Sequence, residues 1–304
     1  MEMEEDNVLD ELHSVRDFVR WGASRFTEAR LWFGHGTDNA WDEAVVLVCA
    51  ALHLPLDTGA RALDARLTGR EKQVVLEYLE RRVTERVPAP YLTGEAWFAG
   101  LRFVVDERVL VPRSPFAELI QGEFGPWLTR TPERILDLCT GSGCIGIASA
   151  LTFPDAEVDL VDVSAAALEI AEVNIAAHRV ERRVRTVESD LFEELDEAYD
   201  LIVCNPPYVD ADDYAELPDE YRCEPELALA AGFDGLDVVR RVLRDAADWL
   251  NDEGVLFVEV GNSAVALEER FPDIGFTWVE LERGGDGIFV FSREELLAIQ
   301  DLLD

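Results

Sequence analysis

The tetrapeptide Asn205-Pro206-Pro207-Tyr208 directly follows an apolar run at residues 199–204. The run is rich in aliphatic and β-branched residues, which predicts a buried β-strand that ends where two prolines remove backbone donors. The carbonyl groups beside the prolines then stay free to accept hydrogen bonds from a ligand. Together with the amide and the aromatic ring, they suit a planar –NH₂ group held by two acceptors and covered by a ring. Taken alone, the four residues are also explained by a proline-rich turn after a core strand.

A glycine-containing turn spans residues 137–146, Asp-Leu-Cys-Thr-Gly-Ser-Gly-Cys-Ile-Gly, and follows an earlier predicted strand. Glycines at a strand-to-helix turn let the backbone approach a ligand closely and leave helix N–H groups pointing at it. The next predicted strand ends at Asp162, 19 residues after Gly143. This spacing is typical of the acid that binds ribose hydroxyls in nucleotide-binding α/β folds. A tight turn without a ligand is the alternative for the glycines by themselves.

The third predicted strand leads to Ser-Asp-Leu-Phe at residues 189–192. Here Asp190 and Leu191 offer a carboxylate and an apolar wall to an adenine edge, although Asp190 taken singly is also explained as a helix cap. Four predicted strands thus end, in chain order, at a glycine turn, an acid, a second acid and the tetrapeptide. Ligands bind at the carboxyl ends of parallel strands in such folds. The joint occurrence therefore predicts a nucleoside site next to an amide-binding site.

Alternating strands and helices from about residue 114 predict a parallel α/β sheet. The predicted strands are 134–138, 157–161, 184–187, 199–204, 255–260, 276–281 and 287–291, and the predicted helices are 144–151, 165–178, 235–250 and 263–271. Only five residues separate the last two strands, which is too short for a helical crossover, so they form an antiparallel hairpin at one edge of the sheet. The fold class is therefore α/β, with a mostly parallel, seven-stranded, Rossmann-like sheet and a terminal antiparallel hairpin.

The residues before this sheet are predicted to be helical. Apolar residues at helical spacing predict a helix from about Asn7 to Phe26, and a capping box at Thr68 and Glu71 predicts the start of another. We expect a small helical domain at residues 1–88, used for substrate recognition, a β-hairpin linker at 89–113 and the catalytic domain at 114–304.

The composition is strongly acidic. The chain has 63 Asp and Glu against 27 Lys and Arg, and the formal net charge is −36. Such a charge repels nucleic acid and anionic membranes, favours basic partners, and destabilises the fold by self-repulsion unless salt screens it. The sequence therefore predicts a basic protein partner, no direct nucleic-acid binding and a high-salt cytoplasm.

Cysteine and histidine usage indicates neither a disulfide framework nor a metal site. The five cysteines form no Cys-x-x-Cys pair, and the four histidines lack metal-ligand spacing. No signal-peptide pattern is present, and the longest apolar run, residues 44–56, is too short to span a bilayer. We expect a cytoplasmic protein with reduced thiols, no metal and no membrane segment.

Taken together, these motifs resemble the S-adenosylmethionine-dependent protein glutamine methyltransferases of the HemK/Prm type. The resemblance covers nearly the whole chain, and the narrower match is to the PrmB branch, which methylates a glutamine of a large-subunit ribosomal protein. That match depends on residues 90–94, 96–98, 105–115, 137–144, 217–226 and 284–287. Release-factor-directed relatives usually have Gly at position 139 and an aromatic residue at position 191, where this chain has Cys139 and Leu191.

The resemblance implies roles for individual residues. The implied catalytic residues are Asn205, Pro206 and Tyr208, and the implied substrate-binding residues are Asn205, Pro206, Pro207 and Tyr208. Apart from the resemblance, we expect Glu224, in the long polar segment 210–232, to bind the substrate by helping to close over it; a plain surface loop is the alternative. The residues implied to hold S-adenosylmethionine are Asp137, Cys139, Thr140, Gly141, Ser142, Gly143, Asp162, Asp190, Leu191 and Asn205.

Three other functions are compatible with parts of this pattern. A release-factor glutamine methyltransferase shares the same motifs. A DNA adenine-amino methyltransferase also needs acceptors for an exocyclic –NH₂ group, but the net charge of −36 argues against it. A catalytically silent protein that binds a nucleoside or a basic partner is disfavoured by the intact turn, acid and tetrapeptide.

Overall fold

The computed structural model describes residues 8–303 of the 304-residue chain. These residues form two compact units: the helical unit contains 8–95 and 218–223, and the sheet unit contains 96–217 and 224–303. The sequence prediction divides the chain after residue 88 and treats 89–113 as a linker. The structure instead places 89–95 in the helical unit and 96–113 in the sheet unit.

Capping side chains set the helix starts in the helical unit. Its helices are α1 (Val15–Glu28), α2 (Ala40–Ala51), α3 (Ala60–Leu63), α4 (Gly69–Thr84) and α5 (Ala89–Thr93). The capping box at Thr68 is confirmed, since its hydroxyl accepts from Glu71 N and the Glu71 carboxylate accepts from Thr68 N at 2.7 Å. Ser14 caps α1 in the same way, so the predicted continuous helix from Asn7 is wrong; Asn7 itself lies outside the described residues.

A buried ion-pair cluster holds the segment 218–223 in the helical unit. The Arg82 guanidinium is almost fully buried and donates to Glu43 Oε1 at 2.5 Å and to Glu220 Oε1 at 3.4 Å. Trp32 N and Arg86 Nη1 donate to the same Glu220 oxygen at 3.0 and 3.2 Å. Burial alone would raise the pKa of Glu220, but the hydrogen bonds from Trp32 and Arg86 lower it below its ordinary value. Glu220 is therefore held as a buried carboxylate by partners more than 130 residues away.

The sheet unit begins with a hairpin and continues with alternating strands and helices. The hairpin strands are β1 (Glu95–Phe98) and β2 (Leu101–Val104); their turn residues Ala99 and Gly100 have φ of 50° and 82°, as a two-residue hairpin turn requires. The helices that follow are α6 (Phe116–Gln121), α7 (Cys144–Thr152), α8 (Ala165–His178), α9 (Ala211–Glu216), α10 (Asp237–Trp249), α11 (Ala264–Arg270) and α12 (Arg293–Ile299). The strands are β3 (Arg134–Leu138), β4 (Glu157–Asp162), β5 (Val184–Glu188), β6 (Tyr199–Cys204), β7 (Leu250–Glu259), β8 (Thr277–Trp278) and β9 (Ile288–Ser292).

The seven-stranded sheet has the order β5-β4-β3-β6-β7-β9-β8. Strands β3 to β7 are parallel, and β9 pairs antiparallel with both β7 and β8. The predicted fold and terminal hairpin are confirmed. The antiparallel strand β9, however, lies between β7 and β8 and not at the edge, and the edge strand β8 is shorter than the predicted 276–281.

Strand β6 is buried on both faces, as its apolar run predicts. Leu201 and Val203 lie in one apolar cluster with the residues of α7, while Ile202 and Cys204 lie in the opposite cluster with α10. Successive side chains of a strand point to opposite faces, so the sheet is covered on both sides.

No helix among residues 8–303 combines the length and apolar character needed to cross a membrane.

Candidate active site

A cavity of about 360 Å³ lies in the sheet unit at the carboxyl ends of β3, β4 and β6. This volume is in the range of small-molecule and cofactor sites. The predicted residues that line it are Cys139, Thr140, Gly141, Ser142, Asp162, Asp190, Leu191, Asn205 and Pro207. The predicted residues outside its lining are Asp137, Gly143, Pro206, Tyr208 and Glu224.

The turn after β3 is held in a left-handed backbone conformation at alternate positions. Cys139, Gly141 and Gly143 have φ of 56°, 54° and 81°. Glycine adopts this region without steric cost, whereas Cys139 is a strained non-glycine residue there. A Cβ atom on Gly146 would lie 2.2 Å from Leu160 Cδ2, so this glycine allows α7 to pack closely on the sheet. Residues 141–146 read Gly-x-Gly-x-x-Gly, a pattern that also suits a dinucleotide, so the tetrapeptide is needed to decide the chemistry.

Asp137 supports the glycine turn through hydrogen bonds to its buried side chain. Its Oδ2 atom accepts from Thr140 Oγ1 at 2.6 Å and from Gly146 N at 2.8 Å, while the buried Oδ1 atom has no hydrogen-bond partner within residues 8–303. Burial raises the pKa of Asp137 to about 7, because a charged carboxylate loses its hydration there. An unpartnered buried oxygen beneath a glycine turn is suited to a polar ligand group or a bound water.

Asp162 closes the turn from the neighbouring strand. Its two carboxylate oxygens accept from Gly141 N and Ser164 N, each at 2.9 Å. Burial raises the pKa of Asp162 above its ordinary value despite these bonds. Each oxygen retains a second acceptor site, so the carboxylate can still bind hydroxyl groups in the cavity.

Asp190 and Leu191 form the wall of the cavity after β5. The Asp190 carboxylate pairs with Arg241 on α10 at 2.9 Å, and both residues line the cavity. Leu191 is buried, with φ of 57°. The predicted carboxylate and apolar wall are therefore adjacent, and α10 adds a guanidinium to them.

The Asn205 side chain is available for a ligand. It lines the cavity, and none of the hydrogen bonds formed within residues 8–303 uses its amide. Asn205 follows Cys204, whose register partner in β3 is Leu138, the residue just before the glycine turn. The sheet thus brings the amide acceptor and the glycine turn to the same cavity.

Tyr208 is fixed by the last residue of β7 and by two residues that follow this strand. Its hydroxyl donates to Glu259 Oε1 at 3.3 Å, and its backbone carbonyl accepts from Ser263 Oγ at 2.6 Å. A Cβ atom on Gly261 would lie 2.7 Å from Tyr208 Cε2, so the ring rests on a bare glycine backbone. Glu259 also accepts from the Ser114 hydroxyl, and burial raises its pKa to about 7.

We expect Gly261→Ala to lower kcat about tenfold or more, because the added methyl group displaces the Tyr208 ring and small displacements at a reacting centre are costly. Steady-state methylation kinetics would measure this. Gly100→Ala is the matched control, since Gly100 also has a positive φ but has open space around its Cβ position. A similar loss in both variants would mean that backbone strain, and not the Tyr208 contact, causes the effect.

Glu224 is engaged by the protein itself. Its carboxylate accepts from Arg113 Nη1 and Nη2 at 2.6 and 2.8 Å and from Val111 N at 2.9 Å. This bidentate pair fixes the segment 109–114, several residues of which line the cavity. Substrate binding by Glu224 stays a prediction, and its observed contacts position the cavity wall.

Two further residues that organise the site were not found from the sequence. Asn174 on α8 donates to Ser142 O at 2.9 Å and bonds both the N–H and the carbonyl of Val104, so it ties the glycine turn to the hairpin. Glu259 supports Tyr208. Asn174 lies inside a predicted helix and Glu259 inside a predicted strand, so the only available signal was a polar side chain at a core position.

No group of three or more His, Cys, Asp and Glu residues among residues 8–303 is arranged to hold a metal ion.

Comparison with known proteins identifies the family. The family described as "Methyltransferase small domain" matches residues 126–217. The solved hMettl16 catalytic domain, in complex with the MAT2A 3′UTR hairpin 6, superposes with a TM-score of 0.50 at 19% identity, covering 64% of this chain and 76% of that one. This similarity supports the fold.

Two curated relatives match almost end to end. The chain is 46% identical over 303 residues to the ribosomal protein uL3 glutamine methyltransferase of Francisella tularensis, covering 99% of this chain and 96% of the relative. It is 52% identical over 295 residues to the protein of the same name from Neisseria gonorrhoeae, covering 96% and 98%. The predicted enzyme class is thus confirmed, and the chain belongs to the S-adenosylmethionine-dependent ribosomal protein uL3 glutamine methyltransferase family.

Proposed function

We propose that this enzyme transfers a methyl group from S-adenosylmethionine to the side-chain amide nitrogen of a glutamine in ribosomal protein uL3. The similarity to the two curated uL3 methyltransferases supports the substrate protein. The proposed chemistry depends on one observation. The Asn205 side chain lines the cavity beside the glycine turn and has no hydrogen-bond partner among residues 8–303.

The residues around the cavity fit the cofactor. The left-handed turn Cys139–Gly143, which Asp137 supports by hydrogen bonds, suits its methionine part, and Asp162 suits its ribose hydroxyls. Asp190 and Leu191 suit its adenine. S-adenosylmethionine supplies an electrophilic methyl group on a positively charged sulfur.

The tetrapeptide orients the target amide. An amide nitrogen is a poor nucleophile because its lone pair is delocalised into the carbonyl group. The Asn205 side-chain oxygen and the Pro206 carbonyl accept the two amide hydrogens, Tyr208 packs on the amide plane, and Pro207 borders the cavity. The lone pair then faces into the cavity. Catalysis is mainly alignment, which can supply roughly 7–11 kcal/mol, and no strong general base is needed if the proton leaves after transfer.

The negative net charge of the chain supports a basic protein as its partner. The net charge of −36 attracts a basic ribosomal protein and repels nucleic acid and anionic membranes. A cytoplasmic location follows from a ribosomal protein substrate, and the helical unit is proposed to recognise that substrate.

The test is methylation of purified uL3, a release factor and duplex DNA with isotope-labelled S-adenosylmethionine. We expect label in uL3, located on a glutamine by tandem mass spectrometry. Label in the release factor alone would favour the sister activity, and label in DNA would contradict the proposal. Asn205→Ala is the catalytic control.

We further propose that the enzyme works in high salt, and we expect its activity and stability to increase between about 0.1 and 2 M potassium chloride. Salt shortens the range of charge repulsion from about 10 Å at 0.1 M to about 3 Å at 1 M, which relieves the self-repulsion of the acidic chain. Initial rates and urea unfolding at each salt concentration measure this. An optimum in dilute buffer with loss of activity in molar salt would contradict it.

A further inference from the structure

Phe233 is the most exposed large apolar side chain among residues 8–303, with 86% of its surface accessible. It lies between Gly232 and Gly235, in the segment that precedes α10. Single exposed apolar residues are common, so exposure alone is no argument for function. The position of Phe233 relative to the tetrapeptide is the informative feature.

The backbone on both sides of Phe233 is attached to the end of the tetrapeptide. Val209 N donates to Leu229 O, and Ala231 N donates to Val209 O, each at 2.9 Å. On the other side, a Cβ atom on Gly235 would lie 2.4 Å from the Tyr208 carbonyl oxygen. Phe233 therefore lies two residues after Ala231, which bonds to Val209, and two residues before Gly235, which packs against the Tyr208 carbonyl.

The loop that presents Phe233 is fixed by its own hydrogen bonds. The Asp234 carboxylate accepts from Leu236 N at 3.2 Å and from Arg240 Nη1 at 2.7 Å. Gly232 has φ of 82°, and a Cβ atom there would lie 2.0 Å from Asp237 Oδ2. A loop whose backbone is ordered before binding loses less conformational entropy when a partner covers it.

The surroundings of Phe233 indicate the chemistry of its partner. Leu227, 58% exposed, lines the cavity itself, so a second apolar side chain is accessible on the same segment. Exposed carboxylates stand at the start of the two helices that follow the tetrapeptide and the Phe233 loop. Asp212 and Asp213 belong to α9, where Asp213 accepts from Asn262, and Asp237 belongs to α10, where it pairs with Arg240. An exposed aromatic ring with acidic neighbours suits a basic polypeptide that also carries an apolar residue.

We propose that Phe233 and these acidic residues form the docking surface for the segment of the substrate protein that carries the target glutamine. An apolar residue close to that glutamine packs on the Phe233 ring, and basic residues face the carboxylates. This assignment rests on the proposed function and names the chemistry of the substrate segment. Phe233 thereby contributes to substrate selection, separately from the amide contacts of Asn205.

The test compares Phe233→Ala with wild type in methylation of uL3 and in direct binding of fluorescently labelled uL3. We expect both the KM and the Kd for uL3 to rise about tenfold or more, with a smaller change in kcat and an unchanged Kd for S-adenosylmethionine. The thermal midpoint should not change, because the ring is exposed. Phe233→Tyr retains the ring and should restore most of the affinity.

Trp97→Ala is the matched control, since Trp97 on β1 is an aromatic residue that is 62% exposed and belongs to the hairpin. Wild-type affinity in Phe233→Ala, or an equal loss in Trp97→Ala, would overturn the docking assignment. A wild-type enzyme that binds uL3 through Phe233 but does not methylate it would contradict the proposed function and support the docking surface.

Discussion

Replacing Asn205 with alanine should lower kcat by about 10²–10³-fold and leave the Kd for S-adenosylmethionine within a few-fold of wild type. The expected loss is that of removing one preorganised hydrogen-bonding group from a reacting centre. Asn205 lines the cavity, its amide is unused within residues 8–303, and it follows a strand that is fully buried on both sides. Its removal therefore takes away an acceptor without loosening the sheet.

Cofactor titration by calorimetry and single-turnover methylation measure the two quantities separately. Asp162→Ala is the complementary variant, because Asp162 closes the glycine turn through Gly141 N and does not belong to the tetrapeptide. We expect it to weaken cofactor binding more than it lowers the single-turnover rate. An equal loss of rate and cofactor affinity in Asn205→Ala would refute the proposed role of Asn205.

The sequence predicted the elements that carry the cavity because their signals are local. The boundaries of β3 and β6 agree with the prediction residue for residue, since each is a short apolar run ended by a glycine turn or by prolines. The short predicted connection at residues 282–286 indicated the hairpin for a similar reason, because loop length restricts how two strands can pair. In the structure the connection is nine residues long, 279–287, since β8 ends at Trp278.

Contacts that depend on the order of the strands in the sheet could not be predicted from local sequence signals. Glu259 supports Tyr208 only because β7 is the neighbour of β6. The order of strands cannot be predicted from the sequence of a single segment. The insertion of β9 between β7 and β8 is of the same kind. The segment 218–223 is polar, and no local signal predicts its burial, yet Glu220 is buried against Arg82, a partner 138 residues away.

Asp137→Asn should change how stability depends on pH. An ordinary aspartate has a pKa of 3.8, and burial raises that of Asp137 to about 7 in the folded protein. Below pH 3.8 the carboxyl is protonated in both states, so its contribution to stability is fully present there. As the pH rises from 3.8 to 7, the unfolded chain releases the proton first, and the contribution is lost. At about 1.4 kcal/mol per pH unit, the loss is about 4 kcal/mol.

An asparagine stays neutral throughout, and its side-chain oxygen can still accept from Gly146 N. We therefore expect Asp137→Asn to gain up to about 4 kcal/mol in free energy of unfolding relative to wild type between pH 4 and pH 8. Urea unfolding at constant ionic strength, without cofactor, measures this difference. Comparison with wild type at each pH removes the effects common to both chains, such as the self-repulsion of the acidic surface and the titration of Glu259.

Asp159→Asn provides a control of opposite sign. Burial alone would raise the pKa of Asp159, but hydrogen bonds from Arg185 and Tyr199 lower it below its ordinary value. Its carboxylate therefore stabilises the fold above pH 3.8, and this stabilisation is lost as the pH falls. Asp159→Asn should accordingly lose stability near neutral pH, where Asp137→Asn gains it. Parallel stability curves for Asp137→Asn and wild type would show that the Asp137 carboxyl is ionised at little cost, and that its unpartnered oxygen is hydrated in the folded protein.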